Sequence, residues 1–377
     1  MKNIAIIGPA YPYRGGPPLV VANLYELLSK RHTVNVFSFT RLYPSLLFPG
    51  VRQEDVSKHP AKPHPVLRLI DSVNPLTWIR TADAVIASKP DLVLLDWYQP
   101  FFGLCYDAIL TRIRRAGIKV VVLAENVISH EARWIDTFLT HRALRHAQGF
   151  VAFSDAVVES LRNRYPSVPV SRSTLPLFFT GSHAPVQWTK ESARAHLGYD
   201  TAKEVILFFG YIRKYKGLRN LLAAFPAVAA ARPEAELLVV GECYEDAAEY
   251  TALIQASGVA HRIRWVNEYV PNEDVALYYS AADVIALPYN SATQSGIVKI
   301  AFGFGKAVVA TNVGGLTEEV AQWNAGIITE PGDTAAFANA LITMLGSDRT
   351  DYENGSHAAA AANSFAAIEG IIDGYLG

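Results

Sequence analysis

Short apolar segments rich in β-branched residues alternate with amphipathic helical segments, and this alternation limits what the chain can fold into. Five strands are predicted in the first half, with the sequences NIAIIG, TVNVFSF, DLVLLDW, KVVVLAEN and GFVAFS. Five more are predicted in the second half, with the sequences EVILFFG, AELLVVGE, RIRWVNEY, ADVIALPY and AVVAT. Nearly continuous apolar strands separated by helices are typical of parallel sheets that are covered on both faces. We therefore predict an α/β protein with two doubly wound domains.

The length of the chain agrees with two domains, because 377 residues are too many for one hydrophobic core. The segment SRSTLPLFFTGSHAP, rich in Ser, Thr and Pro, is the predicted boundary. We assign residues 1–178 to the first domain and residues 179–357 to the second. Ligands of such folds bind beyond the carboxyl ends of the strands, so we expect the site in a cleft between the two domains.

Composition indicates a globular protein from a reducing compartment. Half of the residues are hydrophobic and only 18% are charged, which is typical of large cores. Cys105 and Cys243 lie far apart and match no metal spacing, so we expect buried thiols. No apolar run is long enough to span a bilayer, and the N-terminal segment is interpreted as a first strand and not as a secretory signal. We expect a cytoplasmic protein.

Charge is distributed unevenly, although the net charge is only −1. Residues 1–175 contain 21 Lys and Arg against 13 Asp and Glu, or +8, whereas residues 176–377 contain 13 against 22, or −9. Unless these charges are merely solvated, the basic half predicts an anionic partner: a phosphorylated substrate, an anionic membrane surface or nucleic acid. Nucleic acid is disfavoured because the basic residues form no stripe with interleaved aromatic residues.

Residues 41–80 differ from the rest of the first half. They contain six prolines, which exclude one long helix, so we predict an irregular insertion. Exposed-looking Leu42, Leu46, Leu47 and Phe48 lie there among six basic side chains. The insertion is either a functional lid or a packed crossover with a short helix. Its mixture of apolar and basic residues would suit a membrane surface.

Two loops that follow predicted strands carry residues suited to bind phosphate. In the first, Gly15 and Gly16 open a helix, and helix-start N–H groups attract anions where glycine lets the backbone approach closely. In the second, Gly210 ends a strand, and four cations cluster before the next helix: Arg213, Lys214, Lys216 and Arg219. Cations at a helix start oppose the helix dipole, so they indicate a bound anion such as diphosphate, unless this is simply a solvated basic loop.

A third loop, SATQSG, follows the strand VIALPY and comes where a helix begins. A helix start presents unpaired N–H groups to a phosphate. Ser291 or Thr293 can instead serve as an N-cap, and the two interpretations are compatible.

Catalytic candidates follow the strand KVVVL in the segment AENVISHEARW. Glu125 and His130 lie near the carboxyl end of this strand, where the catalytic groups of α/β enzymes gather. A histidine near a carboxylate can accept a proton near neutral pH, although a single histidine such as His130 is more often a structural hydrogen-bonding residue. Asp96 and Trp97, at the end of the preceding strand, could line the same cleft.

In this order, these segments resemble the retaining glycosyltransferases of family 4, which have the GT-B fold. The matching segments are GG after the first strand, G…R…KGL, VVGE, ADVIALPY and GKAVVATNVGGLTE. The resemblance implies two Rossmann-like domains that face each other across a cleft. It also implies a nucleotide-diphosphate sugar donor held mainly by the second domain, with Glu242 of VVGE in the donor site, and an acceptor held by the first. No cofactor other than this co-substrate and no metal are implied, and a C-terminal helix within residues 358–377 would cross back to the first domain.

The chain departs from the family pattern at two acidic positions. The family has two glutamates, separated by seven residues, before the strand that reads AVVAT here, and they would fall on Ala292 and Ile300. The chain looks like a branch that carries SATQSG in place of the glutamate-containing loop. In that branch the resemblance implies neutral hydrogen bonds to the sugar and backbone N–H groups on the diphosphate. The residues concerned are Thr293 and Gln294 for the sugar, and Ser295, Gly296 and Ile297 for the diphosphate.

These features predict a glycosyltransferase of the hexosyltransferase class that retains anomeric configuration. Its acceptor would be a lipid-linked or cell-envelope glycan. Arg213 and Lys216 would stabilise the leaving diphosphate, and Glu125 or His130 would orient the acceptor or the sugar. We expect the protein in the cytoplasm, with peripheral contact at the inner face of the membrane.

Two other functions are compatible with the fold. A non-catalytic sugar-nucleotide-binding GT-B subunit that regulates a partner transferase is supported by the absent glutamates. A sugar-nucleotide epimerase would need acid and base carboxylates in the second domain, and residues 291–315 contain none.

Overall fold

The structure is a computed structural model, and it describes residues 1–48, 50–58, 65–127, 134–173, 187–292, 295–363 and 366–377. The chain divides into two compact units. The first contains Met1–Val56, Pro60–Phe178 and Asn363–Gly377, and the second contains Ser57–His59 and Phe179–Ala362. The predicted boundary near residue 178 lies within 174–186, outside the described residues.

The first unit is built on a parallel sheet of seven strands. Its strands are β1 (Asn3–Ile7), β2 (Thr33–Arg41), β3 (Val66–Asp71), β4 (Leu92–Trp97), β5 (Lys119–Ala124), β6 (Gly149–Ala152) and β7 (Val170–Arg172). Its helices are α1 (Gly16–Leu28), α2 (Pro75–Ala87), α3 (Gly103–Arg115), α4 (Trp134–Leu144) and α5 (Asp155–Arg164). The strand order is β3-β2-β1-β4-β5-β6-β7, so the direction of winding reverses between β1 and β4.

The second unit is built on a parallel sheet of six strands. Its strands are β8 (Glu204–Phe209), β9 (Ala235–Val240), β10 (Ile263–Val266), β11 (Val284–Leu287), β12 (Ala307–Thr311) and β13 (Gly326–Thr329). Its helices are α6 (Lys190–Leu197), α7 (Leu218–Ala231), α8 (Ala247–Ala256), α9 (Val275–Ala281), α10 (Gly296–Gly303), α11 (Gly315–Gln322), α12 (Thr334–Gly346) and α13 (Thr350–Ala362). The strand order is β10-β9-β8-β11-β12-β13, so winding reverses between β8 and β11.

Each unit has its own hydrophobic core, because the central strands are apolar on both faces. In the first unit, Val93, Leu95 and Trp97 of β4 pack with aromatic residues such as Phe102 and Tyr106. In the second unit, alternate residues of the strands pack against α7 and α12, with side chains such as Phe208, Phe225 and Leu341. The prediction of two doubly wound α/β units is confirmed.

A last helix, α14 (Ala366–Leu376), belongs to the first unit although it follows the second unit along the chain. Ile368 and Ile372 are fully buried there. Asp373 accepts a hydrogen bond from Arg31 at 2.9 Å, and Lys119 donates to the carbonyl oxygen of Tyr375 at 2.7 Å. No helix in the described part of the chain combines the length and apolar character needed to cross a membrane.

The prediction that residues 41–80 form an irregular insertion is wrong in part. Strand β3 and the first turns of α2 lie within this segment. Leu42, which was expected to be exposed, is buried in the core of the first unit. Asn74 caps α2 by accepting a hydrogen bond from the backbone N–H of Leu76 at 3.1 Å. The strand was missed because β3 is the edge strand of the sheet, where the apolar run is short and flanking prolines are tolerated.

Candidate functional site

The candidate residues of the second unit lie at the carboxyl edge of its sheet, where winding reverses between β8 and β11. The loop after β8 contains Gly210, Arg213 and a 3-10 turn over Lys214–Lys216, and α7 follows it. The loop after β11 leads to Ser295 and α10. Because neighbouring helices leave the sheet in opposite directions at such a reversal, a crevice for ligands forms there.

Lys216 and the start of α10 converge on Gly210. A Cβ atom placed on Gly210 would lie 2.8 Å from Nζ of Lys216 and 3.0 Å from Cδ1 of Ile297. Gly210 has a φ of +102°, a backbone conformation that side-chain-bearing residues rarely adopt. Glycine at this position therefore lets the lysine and the helix start approach the same backbone.

Lys216 is a buried cation, and the charge of Arg213 acts against it. Its side chain is only 7% exposed, and Nζ lies 5.8 Å from the centre of the Tyr289 ring. Burial, together with the charge of Arg213, lowers the pKa of Lys216 to about 8. Within the described ranges, no carboxylate forms an ion pair with Lys216 or Arg213. A buried cation without a counter-ion is costly, so this arrangement suits a bound anion.

Arg213 lies on the exposed side of the same turn. Its guanidinium is 4.9 Å from the centre of the Tyr244 ring, and Tyr244 in turn packs against Tyr211 with ring centres 4.7 Å apart. Tyr211 and Tyr269 have ring centres 6.4 Å apart. Arg219, the last cation of the segment, forms an ion pair with Glu249 of α8 instead.

Helix α10 begins with backbone N–H groups that the side chain of its N-cap residue does not bind. Ser295 is the N-cap residue, but its side chain makes no capping hydrogen bond and instead lies 3.3 Å from the hydroxyl of Tyr289. Gly296 and Ile297 form the first turn. Uncapped N–H groups at a helix start provide positive partial charge for an anion. Thr293 and Gln294 lie outside the described residues.

The two positions where carboxylates were expected by resemblance are filled by apolar residues. Ala292 and Ile300 are 6% and 9% exposed. The adjacent Lys299 is 1% exposed and forms an ion pair of 2.9 Å with Glu319 of α11. The buried positive charge of Lys299 is therefore already neutralised by Glu319.

Glu242 lies beside the same edge, directly after β9. Gly241 precedes it with a φ of +145°, and a Cβ atom placed there would lie 2.1 Å from the carbonyl oxygen of Gly210. The backbone N–H of Ile212 donates to the carbonyl of Glu242 at 3.0 Å. Glu242 is 6% exposed, and its backbone is bonded to the turn that carries Arg213.

The candidate residues of the first unit lie at its own winding reversal, between β1 and β4. Gly15, with a φ of +108°, precedes α1, and Gly16 is its first residue. Their helix start also lacks a side-chain cap. Glu125 follows β5, and its backbone N–H donates to the carbonyl of Trp97 at 2.9 Å. His130 lies within 128–133, outside the described residues.

Glu125 has a neighbour that the sequence indicated only as a cleft-lining residue. Asp96, at the end of β4, is fully buried. Burial raises the pKa of Asp96 well above its usual range, and the nearby Glu125 carboxyl raises it further. Burial also raises the pKa of Glu125. Spacing along the chain gave no signal for this pair, because the two residues meet only through the register of β4 and β5.

The structure assigns the predicted residues to two sets, one in each unit. Arg213, Lys216 and Gly210 join Ser295–Ile297 in the second unit, while Gly15, Gly16 and Glu125 belong to the first. In the described residues, no group of three or more His, Cys, Asp or Glu side chains could hold a metal ion. That no metal is required stays a prediction.

Comparison with known proteins gives matches for the second unit and for the fold. Residues 203–347 match the family model described as Glycosyl transferases group 1. Over 180 residues the chain is 31% identical to D-inositol 3-phosphate glycosyltransferase of Corynebacterium glutamicum, covering 46% of this chain and 43% of that one. The chain thus spans less than half the length of this relative.

Solved structures match the whole chain. Sucrose-phosphate synthase from Thermosynechococcus elongatus aligns with a TM-score of 0.73 at 20% identity, covering 99% of this chain and 98% of that one. The fold is GT-B. The Anabaena protein HepE in complex with UDP-glucose also has this GT-B fold, with a TM-score of 0.74 at 17% identity over 100% of this chain and 99% of that one.

Proposed function

We propose that this protein is a glycosyltransferase that takes a sugar from a nucleoside-diphosphate donor. The observation that carries the proposal is the convergence of buried Lys216 and the uncapped start of α10 on Gly210. Two positive groups that form no ion pair with a carboxylate of the described residues suit a diphosphate. The match of residues 203–347 to group 1 glycosyl transferases supports this assignment, and the UDP-glucose complex of HepE suggests a uridine diphosphate donor.

In the proposed reaction, the bond between the sugar and the diphosphate breaks and negative charge develops on the departing phosphate. Lys216, Arg213 and the first N–H groups of α10 would stabilise that charge, which is usually the largest contribution to catalysis in such a site. The acceptor hydroxyl forms the new bond and its proton passes to the departing diphosphate. On the family resemblance, the anomeric configuration would be retained, with Glu125 or His130 orienting the acceptor or sugar.

The sugar and ribose would be held without the two family glutamates. Ile300 is apolar and buried, so it offers no hydrogen bond to a ribose. Thr293 and Gln294 remain our proposed partners for the sugar hydroxyls. Removing a carboxylate from the neighbourhood of a diphosphate also removes a repulsion, so loss of activity does not follow.

A lipid-linked or cell-envelope glycan is the proposed acceptor class, with the protein at the inner face of the membrane. In the first unit, Leu46 is 94% exposed, Leu47 is 60% exposed and Val51 is 86% exposed. Arg41 and Arg52 flank these residues and are also exposed. Exposed leucines among arginines suit insertion into an anionic lipid surface.

Replacing Lys216 with Ala tests the transferase function. With a panel of nucleotide sugars and a crude lipid-linked acceptor fraction, the wild-type protein should release nucleoside diphosphate. The Lys216→Ala variant should be at least about 100-fold slower, because one preorganised charge is lost from the leaving group. Lys214→Ala is the matched control, since Lys214 lies on the same turn but is exposed.

A folded Lys216→Ala variant with near-normal turnover would contradict the proposed role. A wild-type protein that binds nucleotide sugar but never releases nucleotide would favour the second candidate, a non-catalytic GT-B subunit that regulates a partner transferase. The observation behind that candidate is the apolar filling at Ala292 and Ile300.

A further inference from the structure

Buried polar atoms lie at the carboxyl edge of the first sheet, where its winding reverses. Asp96 is fully buried, and apart from the Glu125 carboxyl that approaches it, neither of its carboxylate oxygens has a hydrogen-bond partner among the described residues. Oδ1 of Asn126 is likewise buried, and it has no such partner in the described ranges. Because buried polar groups are normally hydrogen-bonded, these atoms indicate a place for a polar ligand.

The register of the sheet directs Asp96 and Glu125 to one face. Asp96 is paired with Leu123 in the ladder between β4 and β5. Glu125 lies two residues beyond Leu123, so its side chain points to the same side as Asp96. A Cβ atom placed on Gly8 would lie 2.9 Å from Cβ of Asp96 and 3.0 Å from Cγ2 of Val21, so this side is the face covered by α1.

The two carboxyl groups cannot both be ionised in this position. Burial raises the pKa of each, and the approach of Glu125 raises the pKa of Asp96 further. The other titratable groups that interact with Asp96 are the hydroxyls of Tyr98 and Tyr106, both buried in the same region. No lysine or arginine of the described residues is among the groups that shift either carboxyl. Because the pKa of Glu125 is raised to about 7 and that of Asp96 is also raised, the pair holds one proton and one negative charge once the pH is above about 7.

We propose that the Asp96–Glu125 pair binds a neutral hydroxyl group of the acceptor, with Asp96 as the positioning residue that keeps the proton and hydrogen-bonds Glu125. This inference rests on the proposed function, since it names what the first unit presents to the acceptor. A pair with one proton offers both a donor and acceptors, as a hydroxyl does. A phosphate at the same place would meet negative charge, and no described lysine or arginine shifts the pKa of either carboxyl. The pair thus selects a polyol such as a sugar or cyclitol.

Substitutions at position 96 distinguish a protonated from an ionised aspartic acid. The amide of Asp96→Asn can donate the hydrogen bond that a protonated carboxyl donates, whereas Asp96→Leu cannot. We expect kcat of Asp96→Asn to stay within about 10-fold of the wild type and that of Asp96→Leu to fall about 100-fold or more. Equal losses in both variants, each folded by circular dichroism, would overturn the proposal.

Infrared spectroscopy tests the pair without any substrate. At pH 8, where an ordinary aspartic acid is fully ionised, we expect the wild type to show the C=O band of one buried carboxylic acid. The band should be absent from Asp96→Asn and unchanged in Asp83→Asn, a matched variant of an exposed aspartate in the same unit. A wild-type spectrum without the band would overturn the proposal.

The infrared result separates this inference from the proposed function. A wild type that shows the band but consumes no donor would contradict the transferase function and leave the one-proton pair standing. A wild type that transfers sugar but lacks the band would contradict the pair and leave the transferase function standing.

Discussion

The groups around the ammonium of Lys216 are neutral and do not stabilise its positive charge. The fraction of Lys216 that is protonated therefore depends on whether an anion binds next to it. Gly210, Ile297 and the ring of Tyr289 surround its ammonium group, and Arg213 repels it. A diphosphate would supply the missing opposite charge and so favour the protonated form. Binding of the donor and protonation of Lys216 are therefore coupled.

We predict that UDP binding takes up a proton near pH 8. The pKa of free Lys216 is lowered to about 8, and a bound diphosphate raises it, so part of the lysine is neutral before binding and charged afterwards. The affinity for UDP should consequently fall as the pH rises above about 8. Isothermal titration calorimetry in two buffers of different ionisation enthalpy measures the uptake.

The Lys216→Met variant is the control for proton uptake, because it keeps a long apolar side chain without a titratable group. It should bind UDP more weakly, with a heat that does not depend on the buffer. If the wild type also gave the same heat in both buffers at pH 8, the coupling would be contradicted.

At the scale of elements, the turn between β8 and α7 is fixed by a steric contact. Gly217 ends the 3-10 turn with a φ of +69°, and a Cβ atom placed there would lie 1.8 Å from the carbonyl oxygen of Pro288. Pro288 follows β11, so this contact ties the cationic turn to the loop that leads to α10. The geometry around Lys216 therefore depends on a position that carries no charge.

We predict that Gly217→Ala destabilises the second unit by about 2–4 kcal/mol, from left-handed backbone strain and overpacking together. Gly198→Ala is the matched control, because Gly198 also has a left-handed φ of +75° but nothing within 4 Å of the added Cβ atom. The control should lose only about 1 kcal/mol. Urea unfolding of both variants measures the difference in the free energy of unfolding. Equal losses in the two variants would show that the contact with Pro288 does not contribute to stability.

Elements in the middle of each sheet could be predicted from the sequence, whereas three of the four edge strands could not; the fourth, β10, was predicted. The helix predicted after Lys216 is present as α7 (Leu218–Ala231), because its apolar spacing and flanking glycine and arginine are local signals. Edge strands β3, β7 and β13 were missed, since an edge strand needs only a short apolar run. Lys216 and Ser295 were found from loop chemistry, whereas the partner of Glu125 depends on register between separate strands.

At the scale of the whole molecule, the excess of positive charge and the exposed leucines Leu46 and Leu47 occur in the same half of the chain. Residues 1–175 carry an excess of eight positive charges, and Leu46 and Leu47 are exposed there. Attraction to anionic lipid and insertion of apolar side chains reinforce each other in peripheral binding. Neither contribution alone would hold a protein on a membrane for long.

We predict that the protein floats with anionic vesicles of phosphatidylglycerol at low salt and is partly released at high salt. The double variant Leu46→Glu with Leu47→Glu should bind at least about tenfold more weakly, because two inserted side chains are lost and two negative charges are added. Leu253→Glu is the control, since Leu253 is a partly exposed leucine of the second unit. Unchanged flotation of the double variant, or no flotation of the wild type, would contradict membrane contact.

The first unit cannot complete its folding until α14, which follows the second unit along the chain, has been synthesised. A ribosome delivers the strands of the first unit early, but the helix that covers them with Ile368 and Ile372 emerges only after the entire second unit. Until then the nascent first unit has an uncovered apolar face, while the second unit already has all of its strands. The part of the protein that begins to be made first is therefore the part that finishes folding last.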